Sequence, residues 1–271
     1  MSVPNIKMSN NKDDSKDRVG IIIQARMNST RLPGKVMRLI RGKPMLALLI
    51  ERLKKINLPN KIIIATTQSK NDDIIVKTSL DCGVDVFRGD ENDVLSRYYL
   101  SAKKNNFNVI VRVNADCPFA DPVLINDMVL EFLHQDNIDY LSNTIKRTFP
   151  VGFDVEVFSY SALGKAFHCA DKEYQREHVT PYIRKNKTFL KFNYSHKPDL
   201  SNIRLTLDTY KDYKMITAIY ESLYHEGGVI SLKDILELLD SRSDILAINA
   251  QFKRNEGYEK SLSQDRIIQG D

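Results

Sequence analysis

From Val19 onward the chain alternates short apolar runs with stretches of helical period, and that alternation predicts the order of its elements. Val19–Ile23, Lys61–Ala65, Val84–Arg88 and Val109–Asn114 read as strands, their apolar residues running almost unbroken. Met45–Lys55 places Met45, Leu46, Leu49 and Leu53 at helical spacing, with Pro44 positioned to open the helix. Asn71-Asp72-Asp73 offers an N-cap for a helix ahead of Val84, and Asp93–Lys104 supplies another. After Asp121-Pro122 a helix leads to a strand at Asp139–Ser142, and Phe153–Phe158 alternates as a further strand. Ser161–Phe167 and Gln175–Lys185 read as helices, Phe189–Asn193 and Ile203–Leu207 as strands, and Met215–Leu223 and Leu232–Leu239 as closing helices. Such a succession predicts an α/β fold, a mostly parallel sheet wrapped by helices.

The pattern fades at both ends. Residues 1–18 are polar and charged and read as a disordered leader, residues 19–250 as one domain, and residues 251–271 as a tail. With 42% hydrophobic residues in 271, the chain can fill a complete core. A net charge of +5, from 40 basic and 35 acidic residues, is a mild excess. No basic run with interleaved aromatics asks for nucleic acid as a partner. Cys82, Cys117 and Cys169 lie far apart without a C-x-x-C pair, which argues against a disulfide framework or zinc site and fits a reducing compartment. No apolar run approaches membrane-spanning length and no signal-peptide core is evident. The expectation is a cytoplasmic protein with no membrane partner.

Chemistry concentrates where strands end. Ile21-Ile22-Ile23 runs into a loop carrying Arg26, Arg31 and Lys35 beside Ser29, Thr30 and Gly34. Three cations and two hydroxyls on one strand-to-loop corner suit a highly anionic ligand, most simply a nucleoside triphosphate. The loop is not a P-loop, which would need Gly where Ser29 stands. Asn114-Ala115-Asp116-Cys117-Pro118 follows another apolar strand, and Asp208 follows Leu205-Thr206-Leu207. Each Asp can be a turn residue. Together, two strand-end carboxylates from distant sequence can bracket one Mg²⁺ whose other ligands are phosphates and water.

Three further segments are dense in polar groups. In Arg88-Gly89-Asp90-Glu91-Asn92-Asp93, capping of the next helix and ligand contact are both open readings. Asp154 and Glu156 fall two apart on the predicted strand Phe153–Phe158, hence on one face, as a solvated edge or a pocket wall. Arg176 and His178, in Arg176-Glu177-His178-Val179-Thr180-Pro181-Tyr182, can grip an anionic group, though His178 can equally be structural.

Ala25-Arg26-x-x-Ser29-x-Arg31-Leu32-Pro33-Gly34-Lys35 resembles the opening motif of the cytidylyltransferases that activate acidic sugars. Asp116-Cys117-Pro118 and Leu207-Asp208-Thr209 are similar to that family's Asp-x-Pro and Leu-Asp-Thr motifs, and the resemblance spans about residues 19–260. The Arg-Glu-His-Val-Thr-Pro-Tyr segment favours the spore coat polysaccharide F branch over the keto-deoxyoctulosonate and acylneuraminate branches. The resemblance implies a Rossmann-like three-layer sandwich of the nucleotide-diphospho-sugar transferase type. It implies transfer of CMP from CTP to a sugar, sugar acid or related acceptor for surface polysaccharide, with pyrophosphate leaving. Arg26, Lys35, Asp116 and Asp208 would be catalytic, with Asp116 and Asp208 the Mg²⁺ ligands. Ala25, Arg26, Arg31, Lys35, Thr66, Arg88, Asp93 and Arg97 would lie at the nucleotide, and Asp154, Glu156, Arg176 and His178 at the acceptor. Residues 145–200 would form an acceptor-binding and dimerisation lobe, which makes a homodimer an expectation. Two other readings share these residues: a glycosyltransferase holding its metal on Asp154 and Glu156, and a non-catalytic nucleotide-binding subunit.

Overall fold

Among the apolar strands, alternate side chains go to opposite faces, and two separate cores result. In the computed structural model, which describes residues 18–58 and 61–251, β1 (Val19–Gln24) sends Ile21 and Ile23 into one core and Ile22 into the other. Beside it lie β4 (Lys61–Thr67), β5 (Asp85–Gly89) and β6 (Val109–Asn114), after the small β2 (Leu39–Ile40) and β3 (Lys43–Pro44) hairpin. With β7 (Tyr140–Ser142), β8 (Glu156–Ser159) and β9 (Lys191–Asn193) they form a seven-stranded sheet in the order β5-β4-β1-β6-β8-β7-β9. Only β8 runs against its neighbours. The fold is thus the mostly parallel α/β sheet wrapped by helices that the patterning predicts, in the three layers that the resemblance implies.

Helices α1 (Met45–Leu53), α2 (Asp73–Asp81), α4 (Pro122–His134), α8 (Tyr210–Leu223) and α9 (Leu232–Ser241) close the first core. On the opposite face lie α3 (Val94–Lys104), α5 (Tyr160–Cys169) and α7 (Pro181–Lys185), the last preceded by α6 (Glu173–His178). A short α10 (Ser243–Ala247), absent from the sequence reading, follows. No helix of the described residues is long and apolar enough to cross a membrane. The expected leader and tail lie outside the described residues, apart from Arg18 and Gln251.

Four sequence expectations are corrected. Residues 153–155 do not extend β8, because the Asn143 side chain takes their backbone instead: Nδ2 donates to Phe153 O at 2.7 Å and Oδ1 accepts from Val155 N at 3.0 Å. Asp154 and Glu156 therefore do not share a strand face. Ile203–Leu207 is no sheet strand; its one bridge pairs Arg204 with Val151, outside the sheet. Gln175–Lys185 is two helices, broken where Val179 adopts φ 70°. Asp72 does not cap α2 with its side chain; the cap of the preceding 3₁₀ turn is Ser69.

Candidate active site

The carboxyl ends of β1, β4, β5 and β6 all face one edge of the sheet, where ligands of open α/β sheets bind. A cleft of about 650 Å³ opens there. Its first wall is the loop leaving β1. Asp72 builds that loop from below: Oδ1 accepts from Met27 N at 2.8 Å, while Oδ2 accepts from Thr66 and Thr67 hydroxyls at 3.1 and 2.5 Å. Gly34, at φ 65°, turns the chain so that its own N–H meets Met27 O at 2.9 Å and Lys35 starts a 3₁₀ turn. Arg26, Arg31 and Lys35 line the cleft as a result.

Asp116 and Asp208 form its floor. Segment 203–208 hangs on the Asp116 loop, with Leu207 N donating to Asp116 O at 2.8 Å and Thr206 Oγ1 to the same oxygen at 3.1 Å. On its other side Leu205 presses against Gly152, where a Cβ would lie 2.6 Å from the Leu205 carbonyl carbon and where φ is +105°. That clamp brings together carboxylates that the chain keeps far apart. Lys35 Nζ sits 2.7 Å from Asp116 Oδ2 and 2.8 Å from Asp208 Oδ1, and Arg31 is 3.0 Å from the same Asp208 oxygen. Burial opposes the Lys35 charge, yet the two carboxylates outweigh it and raise its pKa. Burial likewise pushes Asp208 up, but Lys35, Arg31 and Arg204 bring it below the usual carboxylate range. Two carboxylate oxygens converging on one ammonium within 2.8 Å make a donor set that fits a small hard cation.

The second wall is α6, whose Glu173, Tyr174, Glu177 and His178 face the cleft. Arg176 fastens this helix to α3, donating to Asp93 Oδ2 at 2.6 and 2.8 Å, while Asp93 Oδ1 caps α3 through Ser96 N at 2.9 Å. At the other end, Thr180 N donates to His178 O at 2.8 Å with Val179 at φ 70°, ψ −57° between them. This is a γ-turn of the rare positive-φ form, strained for a β-branched residue. Burial, with Arg112 and Arg26 nearby, holds the His178 imidazole below its ordinary pKa despite Glu177, so it is neutral near pH 7. Behind the wall, Glu156 is fully enclosed by Arg112, Tyr140 and Thr180, the last at 2.7 Å. Burial raises the Glu156 pKa, and Arg112, Arg184 and the hydrogen bonds from Tyr140 and Thr180 together more than reverse this to leave it low.

Of the residues singled out from sequence, Ala25, Arg26, Arg31, Lys35, Arg97, Asp116, His178 and Asp208 line the cleft. Arg97 is 2% exposed, donates to Ala65 O at 3.2 Å, and keeps a buried Nε with no partner among the described residues. The others stand behind it. Thr66 supports Asp72; Arg88 binds Thr67 O and Ser69 O, each at 2.7 Å; Asp93 and Arg176 hold each other. Asp154 is taken by a two-pronged Arg147 contact and Glu156 by Arg112, so neither carboxylate offers the metal site that the glycosyltransferase reading requires. Sequence reasoning missed Gln24, Arg112 and Asn114, which line the inner cleft. Arg112 did leave a signal, as the lone charge in Val109-Ile110-Val111-Arg112-Val113. It also missed Arg204, whose guanidinium joins Asp208 to the buried Asp212.

Comparison with known proteins gives the family. Residues 20–253 match the cytidylyltransferase family. An uncharacterised protein of Methanocaldococcus jannaschii is 39% identical over 86% of this chain and 95% of its own length. The spore coat polysaccharide biosynthesis protein SpsF of Bacillus subtilis is 33% identical, covering 82% of this chain and 94% of its own. Among solved structures, a cytidylyltransferase of Leptospira borgpetersenii superposes with a TM-score of 0.83 at 36% identity, over 88% of this chain and 100% of that one. The chain belongs to the cytidylyltransferase family.

Proposed function

We propose that the cleft binds CTP with its triphosphate against Arg26, Arg31 and Lys35. CMP then passes to an oxygen of a sugar or sugar-acid acceptor lying along α6, on the route to a surface polysaccharide. One observation carries the reading: the convergence of Lys35, Asp116 and Asp208 within 2.8 Å in a cleft that also holds Arg26 and Arg31. The SpsF relative, named for spore coat polysaccharide biosynthesis, supports the product class.

The reaction asks little covalent chemistry of the protein and much placement of charge. The acceptor oxygen attacks the α-phosphorus, the bond to the β-phosphate oxygen breaks, and pyrophosphate leaves. Arg26, Arg31 and Lys35 neutralise the β- and γ-phosphates, while the enclosed Arg97 guanidinium, with Gln24 and Asn114, orients the nucleotide's inner part. Asp116 and Asp208 would hold a divalent cation, which we take to be Mg²⁺. Bound there it would polarise the α-phosphate and offset the charge growing on the leaving group. Glu173, Tyr174, Glu177 and His178 meet the acceptor.

Pyrophosphate release tests this, with CTP and UTP compared in Mg²⁺ against acidic, amino and phosphorylated sugars. The expected result is release with CTP and a restricted set of acceptors. Release with neither nucleotide, and no rise in melting temperature with CTP, would overturn the assignment.

A further inference from the structure

The two floor carboxylates are held very differently. Both Asp116 and Asp208 give one oxygen to Lys35. Among the described residues, the second oxygen of Asp116 meets only the thiol of Cys117, at 3.8 Å. The second oxygen of Asp208 accepts from Arg204 Nη2 at 3.1 Å, and the Asp208 backbone N–H donates to Asp212 Oδ2 at 3.1 Å. Arg204 is itself gripped, its Nε and Nη2 reaching the two oxygens of Asp212 at 2.9 and 3.0 Å. Asp212 is 0% exposed and takes further bonds from Thr209 N at 2.9 Å and Asn249 Nδ2 at 2.8 Å. Arg204 Nε and Nη2 and both Asp212 oxygens are thus held by named partners, and the Asp208 oxygen left facing Lys35 and Arg31 is Oδ1.

We propose that Arg204, locked by Asp212, is a positioning residue that fixes Asp208 in one orientation and thereby sets the cation affinity of the site. The inference rests on the reading of Asp116 and Asp208 as cation ligands. A flat guanidinium can serve both carboxylates at once, because its donors diverge in a plane; a single ammonium on a flexible stem cannot hold the same fork. Partners that orient a ligating carboxylate characteristically contribute about 10–100-fold to metal affinity.

Arg204→Lys is the primary variant, since it keeps the charge that Asp212 needs. Calorimetry would measure CTP affinity with Mn²⁺ and again with chelator, alongside melting temperature. Wild-type protein is expected to bind CTP more tightly with Mn²⁺, and Arg204→Lys to lose about 10-fold or more of that gain while its metal-free CTP affinity stays put. If Arg204→Lys folds poorly, the double variant Arg204→Gln/Asp212→Asn removes both paired charges together and should show the same selective loss. A purely structural role would lower melting and both affinities in step; that result, or an undiminished Mn²⁺ gain in a well-folded variant, overturns the inference alone. No Mn²⁺ gain in the wild type, with CTP still bound, would instead overturn the cation site itself and this inference with it.

Discussion

The loop wall, residues 25–35, and the α6 wall face each other across one cleft but are made by opposite means. The loop wall gathers cations that are neighbours in sequence, and one buried carboxylate, Asp72, holds its backbone from below. The α6 wall also takes its cleft-facing residues from one short segment, but that segment is held from distant parts of the chain. Its helix is pinned by Arg176 to α3 at one side and ended by a strained turn at Val179, with Thr180 anchored to Glu156 and through it to Arg112 on β6. A triphosphate is common to every reaction of such an enzyme, and a contiguous charged loop suffices for it. Distinguishing one acceptor from another needs a surface whose shape is fixed from several directions; on the proposed reading the α6 wall would be that surface, held at the expense of backbone strain.

Four substitutions or conditions would break or sharpen that contrast. The largest effect belongs to the floor: Asp208→Asn should lower CTP turnover by about 10³-fold, on the scale of lost transition-state electrostatics, with the fold kept but melting lowered by loss of the charge that pairs with Lys35 and Arg204. Turnover within tenfold of wild type would remove Asp208 from the chemistry. Next, Glu156→Gln strips the buried partner from Arg112 and should cost about 3 kcal/mol in denaturant unfolding, because a buried charge is left uncompensated. If the two walls are independent, any surviving activity should show a raised acceptor KM and an unchanged CTP KM.

Acid unfolding gives a third, smaller effect. Asp208 and Glu156 titrate below their ordinary values of 3.8 and 4.5 in the folded protein. Their charges therefore stabilise the fold above those values, and the contribution is lost as pH falls through the lower folded pKa values. The slope of stability against pH below 4.5 should be shallower in Glu156→Gln than in the wild type, as read from melting curves. The smallest net effect on stability is expected from Val179→Gly. Relief of about 1–3 kcal/mol of backbone strain offsets much of the buried valine side chain, worth about 1.5–3 kcal/mol. Melting should stay close to wild type while the acceptor KM rises severalfold; an unchanged KM would separate the strained turn from the acceptor.

The same contrast explains what the sequence discloses. The loop wall was legible because its signal is contiguous: Arg26, Arg31, Gly34 and Lys35 follow an unbroken apolar strand. Asp116 and Asp208 were legible as carboxylates after apolar runs, even though Ile203–Leu207 proves to be an extended clamp rather than a sheet strand. On the α6 wall the helical period ran straight through Val179, a residue with no turn preference of its own. The warning was Pro181, which cannot supply the N–H that a continuous helix over Gln175–Lys185 needs. Asp154 and Glu156 looked like a paired face, and only the three-dimensional partners, Arg147 and Arg112, show that each is already engaged. Arg204 and Asp212 leave no such signal, because in sequence their cradle looks like an ordinary helix cap.

The clamp at Gly152 and Leu205 has a consequence for how the protein comes into being. A chain that emerges from its amino end completes β1, β4, β5 and β6, together with the whole cationic loop, before Asp208 exists. Lys35 and Asp208 are 173 positions apart, so the carboxylate pair closes only after most of the sheet is in place. Asn249, which tethers both Arg204 and Asp212, arrives later still. On the proposed reading, the loop for the triphosphate is thus made well before the carboxylate pair that would complete the site, and competence would arrive as a final stitch instead of growing with length.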